Sequence, residues 1–185
     1  MKKIVFLVAV LLTAQLMASP IQAQFSSANL QASGLTCALC TRAINKSLEQ
    51  LPFVAAVQTD IKTSSFQISF KESGHVDPDA LRKAVEDAGF SVARLQLKGN
   101  FSGVAAKNDS HVLIAGRTFH FLKVKDQVLQ GEQTLTLVDK NFVTAKEFSK
   151  YKSATSLQCI ESGRASHCCS RDGVQANARI YHVTI

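Results

Sequence analysis

Cys37 and Cys40, separated by Ala38 and Leu39, are the side chains of this chain best suited to do chemistry. If a helix begins near Cys37, the i, i+3 spacing sets both sulfurs on its first turn. Free backbone N–H groups and the positive end of the helix dipole favour thiolate over thiol there. Two neighbouring thiolates form a soft ligand pair suited to Cu(I), Zn(II) or another thiophilic ion. With Cu(I) between them the pair keeps one net negative charge, which Arg42, Lys46 and the dipole offset. The same spacing also fits a redox-active disulfide or half of a structural zinc site.

The elements around the pair alternate between strand and helix patterns. Asn29–Ser33 reads as a first strand, with Leu30 and Ala32 on one face. After Gly34-Leu35-Thr36-Cys37, Ile44, Leu48 and Leu51 form one apolar helical stripe, and Pro52 stops it. Val54–Ile61 reads as a second strand, and Phe66, Ile68 and Phe70 alternate with polar residues in a third. Asp77 is a natural N-cap with Pro78 at the first helical position. Leu81, Val85 and Ala88 continue that stripe until Gly89 ends it. Val92–Leu97 closes the segment as a fourth strand. The order is βαββαβ, which places both helices on one face of a sheet.

The loop Gly34-Leu35-Thr36-Cys37-Ala38-Leu39-Cys40, set in this βαββαβ order and followed by Ala84–Val92 (AVEDAGFSV), resembles the heavy-metal-associated domain family. The resemblance covers roughly residues 28–97. It implies a ferredoxin-like α+β fold and a soft metal bound by Cys37 and Cys40 at an exposed loop. It also places Phe90 where the family often carries an aromatic or a lysine beside the metal. The family commonly has Met two residues before the first cysteine, where this chain has Leu35; that position packs into the core, so the near-isosteric swap costs little. Cu(I) is the first expectation for the ion, with Hg(II), Zn(II) and Cd(II) accepted by the same pair.

Three cysteines remain: Cys159 and the adjacent Cys168 and Cys169, preceded by His167. Five cysteines cannot all pair among themselves. The favoured expectation is a disulfide from Cys159 to Cys168 or Cys169, closing a loop of about ten residues and contributing ~2–3 kcal/mol. The other is a second soft-metal site built from Cys159, His167, Cys168 and Cys169. Adjacent strand residues point to opposite faces, so such a site needs a turn, for which Arg171-Asp172-Gly173 supplies the chemistry. His75, His111, His120 and His182 read as surface or hydrogen-bonded residues.

Beyond the first segment, Gly99–Lys107 reads as a polar joint and residues 108–185 as a β-rich domain. Strands are expected at His111–Ala115, Thr118–Lys125, Gln133–Val138 and Arg179–Ile185, with one helix over Thr144–Tyr151. This suggests a small, partly open barrel of the OB type, or a sandwich.

The chain opens with Met1-Lys2-Lys3, an apolar run Ile4–Leu12 and small residues up to Ala23. That is the layout of a secretory signal over residues 1–23, too short for a span of about 20 residues. The expected organisation is therefore a signal peptide (1–23), a metal domain (24–98), a linker (99–107) and the β-rich domain (108–185), in a periplasmic or secreted protein. Two of the 21 basic residues leave with the signal, so the net charge falls from +7 to +5. This excess is scattered through the C-terminal half without a dense stripe, which argues against nucleic acid as a partner. Both methionines leave too, so no thioether ligand remains.

No Ser/His/Asp order, phosphate loop or paired-acid motif points to an enzyme. The expected function is soft-metal sequestration or transfer to a partner that presents thiolates, with no stable membrane span. A thiol–disulfide oxidoreductase and an envelope interaction module are the alternatives.

Overall fold

A computed structural model describes residues 23–35, 38–72 and 74–185, without the side chains at 168, 170 and 171. The expected signal peptide lies outside these residues except for Ala23. The elements are β1 (Ala23–Ser33), α1 (Ala38–Glu49), β2 (Val54–Asp60), β3 (Ser65–Phe70), α2 (Pro78–Asp87) and β4 (Ser91–Ala106). They continue as β5 (Ser110–Ile114), β6 (Arg117–Phe121), β7 (Gln127–Leu137), α3 (Ala145–Lys152), α4 (Cys159–Ser162), a 3-10 helix (His167–Asp172) and β8 (Ile180–Thr184).

Local chemistry accounts for the first six elements. Ile44 and Leu48 of α1 are fully buried, as are Leu81 and Val85 of α2, so each helix lays one apolar stripe on the core. The Asp77 carboxylate accepts hydrogen bonds from the Asp79 and Ala80 amides, and Pro78 opens α2. Gly89, at φ +88°, turns the chain out of that helix in a conformation side chains resist. Strands β2, β3, β1 and β4 lie side by side in that order, the arrangement of a ferredoxin-like α+β unit.

The sheet does not end at β4. Among the described residues the eight strands form one sheet in the order β2-β3-β1-β4-β7-β8-β6-β5, antiparallel except where β6 runs parallel to β8. The expected linker 99–107 is instead mostly strand: Lys98, Gly99, Phe101 and Ala106 of β4 pair with Thr134, Gln133, Gly131 and Gln127 of β7. Phe101, Val104 and Ala106 are buried, and polar Asn100 and Ser102, on either side of Phe101, are exposed. Gly99 resembles a joint in the sequence but serves packing, since a Cβ there would sit 2.6 Å from the Gln24 carbonyl oxygen. The C-terminal strands therefore extend the first sheet and build no separate OB-type barrel.

This sheet curls strongly. Phe25 on β1 and Phe119 on β6 have ring centroids 5.7 Å apart, although β4, β7 and β8 lie between their strands. In a flat sheet four strand spacings would separate them by about 19 Å. Phe119, Phe121, Tyr181 and Val183 thus join the main core inside the curl. The opposite face of β6 and β8 is covered by smaller clusters, one with Leu122, Phe148 and Ile160, the other with Cys159, Cys169 and Ile180. Among the described residues no helix is long and apolar enough to cross a membrane.

Candidate metal centres

The cysteine loop leaves β1 through Gly34, at φ +78°. Leu35 is half-buried and packs on the main core, as the resemblance implied for that position. Cys37 lies outside the described residues. Cys40 sits in the first turn of α1, half-buried and disulfide-bonded. No acidic residue occupies that turn, so nothing there opposes a thiolate. Arg42 and Lys46 lie on the exposed side of the helix. Leu39, between the two cysteines, is 79% exposed. Phe90 packs partly buried against the core.

The C-terminal cysteines depart from expectation. Cys159 and Cys169 are both buried and are not bonded to each other, while the alternative pairing of Cys159 with Cys168 rests on a side chain outside the described ones. The physical reason that Cys159 and Cys169 are not joined lies in where Cys159 points. Its sulfur stands 3.7 Å from Nε2 of His111 and 3.8 Å from Nδ1 of His120, beneath the β5–β6 hairpin. His167 is exposed, and Cys168 lies outside the described side chains. Among the described residues the donor cluster is His111, His120 and Cys159, which shares Cys159 with the set expected around His167.

Each imidazole is held from behind. His111 Nδ1 contacts Asp172 Oδ2 at 2.6 Å, and His120 Nε2 contacts Asp109 Oδ1 at 2.9 Å. The two rings stack at 4.4 Å, and His182 meets His120 edge-on at 5.1 Å. Burial, then the neighbouring His182 and His111, push His120 down to about 4 against the opposing pull of Asp109. It is therefore neutral near pH 7 and keeps a ring lone pair. His182 gives Nδ1 to Asp139, while its Nε2 has no hydrogen-bond partner among the described residues.

His111 and His120 are hydrogen-bonded, one of the two roles their sequence setting suggests, and a signal for their pairing is present in the sequence as well. Ala115 and Gly116, both at positive φ, make a two-residue hairpin turn. That turn sets Ile114 opposite Arg117 and, three steps back, His111 opposite His120. His120 lies on the face opposite Phe119 and Phe121, but that face is also fully covered. Neither the parallel pairing of His120 with His182 nor the approach of Cys159 has a local signature.

Residues 29–91 match the heavy-metal-associated domain model. The chain is 31% identical over 65 residues to the copper chaperone CopZ of Bacillus subtilis, a stretch covering 35% of this chain and 93% of CopZ. It is also 31% identical over 96 residues to copper-transporting ATPase 1 of Rhizobium meliloti, covering 52% of this chain but 11% of the ATPase. A similar match reaches 7% of a probable copper-transporting ATPase, HMA5, of Arabidopsis thaliana, so the chain spans only a small part of either transporter. Among solved structures, the yeast copper transporter domain Ccc2a, studied in apo and Cu(I) states, aligns over 36% of this chain and 90% of that domain, at 28% identity and a TM-score of 0.33.

Proposed function

The chain belongs to the heavy-metal-associated domain family through residues 29–91, and from that premise we propose that it is an exported protein that binds a soft metal, Cu(I) foremost, through Cys37 and Cys40. The observation that carries this reading is the Cys37/Cys40 spacing, with Cys40 in the first turn of α1, in a segment that matches nearly the whole length of a copper chaperone. Two thiolates at this spacing, one of them in a helical first turn that carries no acidic residue, would provide a low-coordinate soft site. The exposed Leu39 leaves the loop open to a partner's thiolates, so the ion can pass by exchange of shared ligands. Hg(II), Zn(II) and Cd(II) fit the same donors. Export rests on the basic and apolar head of the chain, residues 1–23.

The test is a competition titration of the reduced mature protein with Cu(I). One equivalent bound, and lost in the Cys37→Ser, Cys40→Ser double variant, supports the assignment. Stoichiometric binding that survives both substitutions rejects it. The disulfide on Cys40 favours a second reading, a thiol–disulfide oxidoreductase. Turnover of a disulfide substrate by metal-free protein would select that reading.

A further inference from the structure

We propose that His111, His120 and Cys159 form a second metal site, separate from the Cys37/Cys40 pair, that takes a divalent borderline cation of the zinc class. The three donor atoms lie within 4.8 Å of one another, and no two of them come from the same element. Around an ion bonded to sulfur at about 2.3 Å and to nitrogen at about 2.0 Å, an S···N separation of about 3.7 Å subtends about 120°. The observed separations are 3.7 and 3.8 Å. The sulfur and each imidazole nitrogen are thus already spaced for a three-donor site with further positions open.

The surroundings are those of a metal centre rather than of a chance contact. A metal-bound imidazole characteristically gives its other ring nitrogen to a carboxylate, which fixes the ring and raises its basicity. Here both imidazoles do so, His111 to Asp172 and His120 to Asp109. The side chains of His111 and His120 are 1% and 0% exposed, and Cys159 is fully buried. His182, whose Nε2 is buried without a partner among the described residues, lies against the same ring system.

Charge and softness select the ion. A bound thiolate backed by the Asp109 and Asp172 carboxylates is offset better by a divalent ion than by a monovalent one. A sulfur and two nitrogens exclude Mg²⁺ and Ca²⁺, which take oxygen ligands. Entry has a route, because a cleft of about 380 Å³ opens beside His111 and Asp172. On binding, Cys159 forms its bond to the metal as thiolate, and one proton per ion passes to solvent. The bound ion would clip α4 to the β5–β6 hairpin.

The experiment uses the full mature chain, reduced, carrying Cys37→Ser and Cys40→Ser, so that the outcome does not depend on the copper reading. Titration with Co(II), and with Zn(II) against a chelator, should give one ion per chain. A thiolate-to-cobalt charge-transfer band, release of one proton and a raised Tm should accompany it. Cys159→Ser should abolish the band, and His111→Gln should weaken binding at least tenfold. The half-exposed Asp172→Asn should weaken binding about tenfold while the band persists, a loss typical of outer carboxylates. This last variant tests the site even if Cys159→Ser fails to fold. A double variant that binds no ion overturns the proposal, as does binding that is indifferent to both His111→Gln and Cys159→Ser.

Discussion

Arg179 clasps Asp79 with two contacts, Nε to Oδ2 at 2.8 Å and Nη2 to Oδ1 at 3.2 Å, across 100 positions of sequence. Its Nη1 also donates to Asp139 Oδ1 at 3.1 Å, and the guanidinium lies 4.2 Å over the Tyr181 ring. The Tyr181 hydroxyl in turn lies 3.2 Å from a carboxylate oxygen of both Asp77 and Asp79, which share its one proton. One guanidinium thus joins the start of α2 to β8, the last strand of the chain.

Arg179→Ala should destabilise the whole protein by about 2–4 kcal/mol, because it removes a charged partner from two carboxylates, one of them largely buried. Arg179→Lys should recover only part of this, since an ammonium cannot reproduce the fork. Urea unfolding midpoints followed by circular dichroism measure both. A loss confined to the C-terminal half would contradict the joint.

The same contact sets an acid limit. Burial alone would raise the Asp79 carboxyl, but the hydrogen bond and charge of Arg179, helped by Tyr181 and Arg82, hold it below its ordinary 3.8. With the folded value below the unfolded one, the unfolded chain takes up more protons on acidification. The stabilisation is full above about pH 4 and drains away as pH falls through the folded value. The stability gap between wild type and Asp79→Asn should therefore be constant from about pH 7 to 5 and shrink below about pH 4. Denaturant midpoints of both proteins across that range check it.

Gly99→Ala discriminates a continuous β4 from a joint. A flexible linker would accept alanine freely or gain from it. In the curled sheet the new Cβ meets the Gln24 backbone, and the substitution should cost about 1–3 kcal/mol. Thermal unfolding decides the question.

Leu39→Asn should leave stability within about 0.5 kcal/mol, because the side chain is exposed. If the cysteine loop hands metal to a partner, the same change should slow Cu(I) exchange with a thiolate acceptor several-fold while the equilibrium affinity for Cu(I) holds. Stopped-flow transfer and competition titration separate the two quantities.

The first half of the fold was legible because its signals are local. Asp77 and Pro78 announce α2, Gly89 ends it, and the alternation of Phe66, Ile68 and Phe70 marks β3. The helix stripe of α1 is equally plain, although Leu51 falls beyond its end at Glu49. The second half was not legible, because its decisive contacts join distant segments. Glycine and polar residues at 99–103 carry the same local signature in a loop as in a strand with a bulge, and only pairing with β7 distinguishes them. Cys159 reaches His111 and His120 across 48 and 39 positions, where neither periodicity nor spacing can report it. Cys168 and Cys169 drew attention by adjacency, although adjacency says nothing about which sulfur faces an imidazole.

The outer rim of β4 would be a hazard in a unit that stopped there. An uncovered strand of this length presents a row of unmet amides and carbonyls that recruits strands from other molecules. Here β7 seals that rim from Gln96 to Ala106, and the sheet finishes at β5, a strand of five residues. A protein cut back after Lys98 would keep its cysteine loop but lose this seal, and should polymerise edge to edge at concentrations where the full chain stays dispersed.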